Sequence, residues 1–191
     1  MFSRVYTVPN MISLFRILLI PFYIWFYIKE LYWSAIAVLV VSGLSDTVDG
    51  FIARKFNQVS DLGKVLDPLA DKLTQIAIVV CATIKVHVLI YLLVIVLVKE
   101  SLMILFNLVF LKKGAKPISA KWYGKLATAV FYLGMGTIVI FTAINRPLSR
   151  TVIIIIACLI AIAALNSLIS YFVFYKNNYD KNGNLKSDNI A

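Results

Sequence analysis

The sequence predicts an all-α, polytopic membrane protein with six transmembrane helices and both termini cytoplasmic. Three observations lead there. Of 191 residues, 61% are hydrophobic and 15% charged, against about 25% charged in an average soluble domain, and mean hydropathy is +0.89. Apolar segments recur six times at lengths near the roughly 20 residues that a bilayer requires. Basic residues concentrate on alternate connections. This composition excludes a soluble globular protein, and the length leaves no room for a separate soluble catalytic domain. One membrane domain is expected over residues 1–175, followed by a flexible cytoplasmic tail, 176–191, rich in Asn and Lys.

The first span runs from Asn10 to Ile28. Arg16 and Pro21 interrupt it and no small-residue cleavage site follows, so it reads as a retained helix rather than a secretory signal. The second runs from Leu31 to about Arg54, and the aromatics flanking the turn before it, Trp25, Tyr27, Tyr32 and Trp33, read as interface anchors. The third runs from Asp61 to Ile84. It contains Pro68, which has no amide hydrogen for the Lys64 carbonyl, so either the span kinks there or its regular part begins near Asp67.

The fourth span, Val86 to Leu111, carries Lys99 and Glu100 near its middle. Facing lipid, each would cost roughly 2.5–3.5 kcal/mol, so both are expected against a polar neighbour inside the bundle or against substrate. The fifth, Lys121 to Ile144, has Gly134 and Gly136 where close helix packing needs small residues. The sixth, Thr151 to Tyr175, is 25 residues without a charge. Cys81 and Cys158 sit in apolar runs and read as small hydrophobes, without a disulfide or a zinc site. His87, the one histidine in the sequence, accompanies Lys85 in an external connection, away from any chemistry.

Net charge is +10, from 19 Lys and Arg against 9 Asp and Glu. With six spans, fourteen of the basic residues fall on one side, four on the other (Lys29, Lys85, Arg146, Arg150), and Lys99 lies mid-span. The positive-inside rule places the richer side, with both termini and the connections after spans two and four, in the cytoplasm. Basic residues so placed attract anionic headgroups and phosphorylated metabolites, so the partner is the membrane surface and not nucleic acid.

Five of the nine acidic residues, Asp46, Asp49, Asp61, Asp67 and Asp71, lie in one 26-residue window joining spans two and three. Carboxylates at membrane depth are costly unless paired, hydrated or metal-bound. On a helix Asp46, Asp49, Gly50 and Ala53 share a face, as do Gly63, Asp67 and Asp71. Two antiparallel helices joined by a short turn would gather four aspartates into a hard, all-oxygen site suited to Mg²⁺ or Mn²⁺ rather than zinc or copper. Four negative charges are more than one divalent ion needs, and paired ions are a recurrent device for displacement at phosphorus. Gly50, Ala53 and Gly63 leave backbone bare for a flat group, and Arg54, one turn on, can reach a phosphate.

These residues, DTVDGFIAR followed by GKVLDPLAD, resemble without departure the signature of the CDP-alcohol phosphotransferases, D-x-x-D-G-x-x-A-R-x(8)-G-x-x-x-D-x-x-x-D, carried here by Asp46, Asp49, Gly50, Ala53, Arg54, Gly63, Asp67 and Asp71. An N-terminal P-N-x-[IL]-[ST]-x-x-R stretch (Pro9, Asn10, Ile12, Ser13, Arg16) extends the likeness over most of residues 8–175. Within the family the chain looks most like phosphatidylglycerophosphate synthases, with cardiolipin synthases close behind. The resemblance implies transfer of a phosphatidyl group from CDP-diacylglycerol to an alcohol, most of all sn-glycerol 3-phosphate, with release of CMP. It implies two divalent ions on Asp46, Asp49, Asp67 and Asp71, Asp71 as general base, and Asp46, Gly50, Ala53, Arg54 and Gly63 around the cytidine nucleotide. A homodimer in the plasma membrane, with the active site facing the cytoplasm and open sideways to lipid, is implied as well.

An acceptor phosphate needs a basic partner. Lys121 and Lys125, at i and i+4, share a face at the start of span five, whereas Lys112, Lys113 and Lys116 also answer to orientation alone. The chain reads Gly124, Lys125, Leu126, Ala127, Thr128 where phosphatidylglycerophosphate synthases often read G-K-x-K-T, so Ala127 stands for the second lysine. A divalent-cation transporter is the competing class, since intramembrane carboxylates also mark ion paths. It would need acidic residues toward the far side, and beyond the cluster and the tail there are only Glu30 and Glu100.

Overall fold

The computed structural model describes residues 8–55, 63–112 and 122–178. They form six α-helices, α1 (Val8–Ile28), α2 (Tyr32–Lys55), α3 (Gly63–Lys85), α4 (Ile90–Lys112), α5 (Trp122–Ala143) and α6 (Arg150–Asn178), with one 3₁₀ turn, His87–Leu89, and no strand among the described residues. Asp61, Lys113, Lys116, Lys121 and the tail beyond Asn178 lie outside the described residues. Among the described residues, four helical segments are long and apolar enough to cross a membrane: Asn10–Ile28, His87–Phe106, Trp122–Ala143 and Arg150–Phe174. In α2 the described apolar segment is Tyr32–Asp46, and α3 carries Lys64, Asp67, Asp71 and Lys72 in its first half.

The chain divides into two compact units. The first contains α1, α2, α3 and the end of α5 with its following turn, residues 138–148; the second contains α4, the body of α5, and α6. In the first, α1 packs on both α2 and α3. Helix α1 is inverted relative to a soluble amphipathic helix. Asn10, Ser13, Arg16, Tyr23 and Tyr27 form its buried stripe, while Leu14, Leu18, Phe22 and Trp25 are exposed. That polarity is expected where the surrounding solvent is hydrocarbon and polar groups must be satisfied inside the protein.

Short turns close the helices by local hydrogen bonding. After α1, the Glu30 amide donates to the Tyr27 carbonyl and the Leu31 amide to Phe26, with Glu30 at φ 61°. After α5, Asn145 at φ 53° repeats the pattern, its amide bonding Thr142 and the Arg146 amide bonding Phe141. Both are Schellman caps in which a residue other than glycine takes the left-handed position. Ser149 caps α6, its hydroxyl accepting from the Val152 amide at 3.4 Å. Mid-helix hydroxyls return to their own backbone: Thr74 donates to Ala70, Thr83 to Val79, Thr137 to Leu133 and Thr142 to Ile138, at 2.7–2.8 Å.

Helix α3 is continuous through Pro68 from Gly63. The proline sits in its second turn, where only the Lys64 carbonyl loses a partner, so the regular helix begins ahead of Asp67. In the second unit α4 packs on α6, with Phe106 and Phe172 rings 5.8 Å apart. Gly134 lies tight against Ile156 and Ile160, while a Cβ on Gly136 would meet nothing within 4 Å. Of the two glycines expected to ease packing, only Gly134 does so within this chain. Lys99 and Glu100 pair with each other at 2.6 Å, both largely buried. Cys81 is buried, Cys158 exposed, and neither is in a disulfide.

Candidate active site

The site is assembled by three helices of the first unit. Asp46 lies near the end of the apolar run of α2; Asp49, Gly50, Ala53 and Arg54 continue that helix, with side chains outside the described residues. Gly63, buried, opens α3, and Asp67 and Asp71 follow on it at i+4 and i+8. The third contribution comes from α1. The Arg16 guanidinium donates through Nη1 to Asp46 Oδ1 at 2.6 Å and through Nη2 to Asp71 Oδ1. The Ser13 hydroxyl donates to Asp67 Oδ1.

Burial gives this arrangement a direction. Arg16 is 3% exposed, whereas the side chains of Asp46 and Asp71 are 48% and 43% exposed. The cation is inside and the carboxylates stand at the opening. Arg16 lines a small pocket together with Tyr23, Ser42, Thr74 and aliphatic side chains of α1, α2 and α3. A fork-shaped guanidinium matches two carboxylates on separate helices in a way that an ammonium does not, so one buried side chain ties α1 to both α2 and α3.

The sequence-derived cluster is thus gathered around an arginine. Among the described residues no three Asp, Glu, His or Cys side chains converge on one point as a ready metal cage. The donor set nonetheless fits a hard divalent ion. It consists of carboxylate oxygens on two helices, half exposed, each engaged by α1 through Oδ1, with Oδ2 of Asp46, Asp67 and Asp71 making no hydrogen bond among the described residues.

Sequence reasoning missed what Ser13 and Arg16 do. Arg16 counted as an orienting charge, as an interruption of an apolar run and, with Ser13, as part of the N-terminal stretch of the family resemblance, with no partner assigned to either. The available signal was energetic: an arginine six residues into a span needs an anionic partner, and the chain offers few acidic residues. Of the acceptor candidates, Lys125 is exposed in the first turn of α5, in the second unit, and Lys121 lies outside the described residues. Lys85 bonds Glu30, and His87, two residues on, is exposed.

Comparison with known proteins defines the class. The family model of CDP-alcohol phosphatidyltransferases matches residues 6–172, and the chain belongs to that family, whose members generally use divalent metal ions. Among individual relatives, it is 33% identical over 132 residues to a CMP-forming cardiolipin synthase of Streptomyces coelicolor, covering 66% of this chain and 61% of that protein. It is 48% identical over 65 residues to the CDP-diacylglycerol--glycerol-3-phosphate 3-phosphatidyltransferase of Aquifex aeolicus, 34% of this chain and 36% of the relative. Over 74 residues it is 46% identical to the human CMP-forming cardiolipin synthase, 38% of this chain and 25% of that one. The chain therefore spans less than two thirds of the length of these relatives.

Proposed function

We propose that the chain is a phospholipid-synthesising transferase that moves a phosphatidyl group from CDP-diacylglycerol to sn-glycerol 3-phosphate and releases CMP. The observation that carries this reading is the complete eight-position signature, in a chain whose α1 binds three of the four signature aspartates from behind. Asp46, Asp49, Asp67 and Asp71 would hold two divalent ions, Mg²⁺ or Mn²⁺, which when bound supply positive charge against the diphosphate and the departing CMP. Asp71 takes the proton of the acceptor hydroxyl as that oxygen attacks phosphorus. Asp46, Gly50, Ala53, Arg54 and Gly63 hold the cytidine nucleotide, and Lys121 and Lys125 hold the acceptor phosphate. Residues 1–175 act as one catalytic domain of six spans in the plasma membrane, as a homodimer, with both termini and the site on the cytoplasmic side.

Cardiolipin synthesis, with phosphatidylglycerol as acceptor, is the second reading. It is favoured by Ala127 standing where a second lysine is expected and by the likeness to the Streptomyces coelicolor protein. Cation transport is disfavoured because the two acidic residues outside the cluster and the tail are committed: Glu30 to Lys85, Glu100 to Lys99.

The test is CMP release by the purified protein in detergent, with CDP-diacylglycerol and Mg²⁺ or Mn²⁺, across glycerol 3-phosphate, phosphatidylglycerol, inositol phosphate and serine. Release with glycerol 3-phosphate alone supports the first reading. Release with phosphatidylglycerol alone replaces it with the second, and no release with any acceptor, together with no cytidine-nucleotide binding, removes both.

A further inference from the structure

We infer that α1 supplies the outer hydrogen-bond shell of the divalent-ion site, with Ser13 and Arg16 as positioning residues that hold Oδ1 of Asp67, Asp46 and Asp71 and leave Oδ2 for the ion. This rests on the metal-binding reading of the aspartates given above.

Three features support it. First, all three contacts engage Oδ1, from one face of one helix, on aspartates that belong to two other helices. A carboxylate fixed through one oxygen has lost most of its freedom to rotate, so its second oxygen is presented in one direction. Second, the burial gradient separates roles. Arg16 at 3% exposure lies inside carboxylates that are 43–48% exposed, so an ion arriving from solvent meets the aspartates before the guanidinium. Third, Arg16 is packed with Tyr23 of its own helix, Ser42 of α2 and Thr74 of α3, so its side chain sits between the helices that build the site.

Outer-shell partners of metal-ligating side chains typically contribute about 10- to 100-fold in metal affinity. Arg16 adds a geometric requirement, because its two Nη groups reach different helices. A lysine would keep the charge and lose the fork.

The experiment is Mn²⁺ titration of the full-length protein in detergent, read by the electron paramagnetic resonance of free Mn²⁺, with melting temperature measured on each sample. Ser13→Ala removes a single hydroxyl and is expected to fold normally and bind Mn²⁺ about 10-fold more weakly. Arg16→Gln is expected to weaken binding by about 10- to 100-fold, and Arg16→Lys to fall between Gln and wild type. Thr83→Val is the control, since the Thr83 hydroxyl bonds only the Val79 carbonyl of its own helix; its affinity should equal wild type.

Folded Ser13→Ala and Arg16→Gln proteins that bind Mn²⁺ as tightly as wild type, or more tightly, would overturn the inference; tighter binding would make Arg16 a competitor of the ion. An equal loss in Thr83→Val would overturn it too, by assigning the effect to general destabilisation. Wild-type protein that binds no Mn²⁺ would instead remove the metal reading on which the inference stands.

Discussion

Gly134 of α5 and Ile156 of α6 approach so closely that a Cβ on the glycine would stand 2.9 Å from the isoleucine Cγ2. That methyl is attached at Cβ of a β-branched residue, whose rotamer in a helix is nearly fixed, so the strain has no cheap escape. Gly134→Ala should destabilise the protein by about 1–3 kcal/mol. Gly136→Ala, with open space at the same distance, should stabilise it by about 0.4–1 kcal/mol. Thermal unfolding of both variants in one detergent checks the pair, and equal effects would mean that the close approach is not what Gly134 serves.

Asp71→Asn keeps the shape of the side chain and leaves Arg16 its bond to Asp46. It should therefore fold, yet lose CMP release by about 10²- to 10⁴-fold, as expected when a general base is removed. Chelation should silence the wild-type protein, with activity returning on Mg²⁺ or Mn²⁺ and not on Zn²⁺. Full activity of Asp71→Asn would assign the proton to another group.

Lys125 is exposed, and its truncation disturbs no core. Lys125→Ala should raise KM for glycerol 3-phosphate about tenfold, equivalent to about 1.4 kcal/mol, and leave kcat within about twofold, as loss of uniform binding requires. Steady-state kinetics over acceptor concentration decides it, and an unchanged KM would reduce Lys125 to a topological charge.

The Lys85–Glu30 pair joins the turn after α1 to the end of α3. The hydrogen bond with Glu30 is the main cause that raises the Lys85 ammonium above its ordinary 10.5. A raised value in the folded state means that stabilisation is complete below 10.5 and is lost as pH climbs through the higher folded value. The difference in melting temperature between wild type and Lys85→Met should accordingly be constant well below pH 10.5 and shrink as pH rises beyond it. Both side chains are substantially exposed, so the difference should also fall with added salt. A difference that persists at high pH would assign it to the packing of the lysine stem.

Much of this was legible in the chain because membrane helices announce themselves by length. Ile28 as the end of α1 and the start of α2 beside Leu31 follow from the apolar runs alone. The aspartate spacing likewise needed nothing beyond helical periodicity to share faces on α2 and α3. Three things were not legible. Pro68 suggested a break, yet it falls so early in α3 that one lost hydrogen bond leaves the helix intact. Gly134 and Gly136 look alike in sequence and differ only in what faces them. The meeting of Arg16 with Asp46 and Asp71 depends on which face α1 turns inward, and its apolar composition conceals that face: the residues that matter are the few polar ones, spaced three apart at Asn10, Ser13 and Arg16.

The order in which Arg16 and its partners appear along the chain matters for how the protein is made. Asp46 follows thirty residues later and Asp71 fifty-five residues later. At synthesis rates of about 5–20 residues per second, α1 waits roughly 3–11 s for its second counter-ion. During that interval the guanidinium is first without a partner and then, once Asp46 emerges, held by one of its two carboxylates, so the first helix is not yet fully satisfied in hydrocarbon. The nascent hairpin of α1 and α2 must stay beside the insertion machinery, or keep Arg16 near the headgroups, until α3 emerges and the three enter as one unit. Truncated chains ending before Asp71 should therefore remain accessible to a water-soluble protease or extractable by carbonate, whereas chains that include all of α3 should be fully embedded.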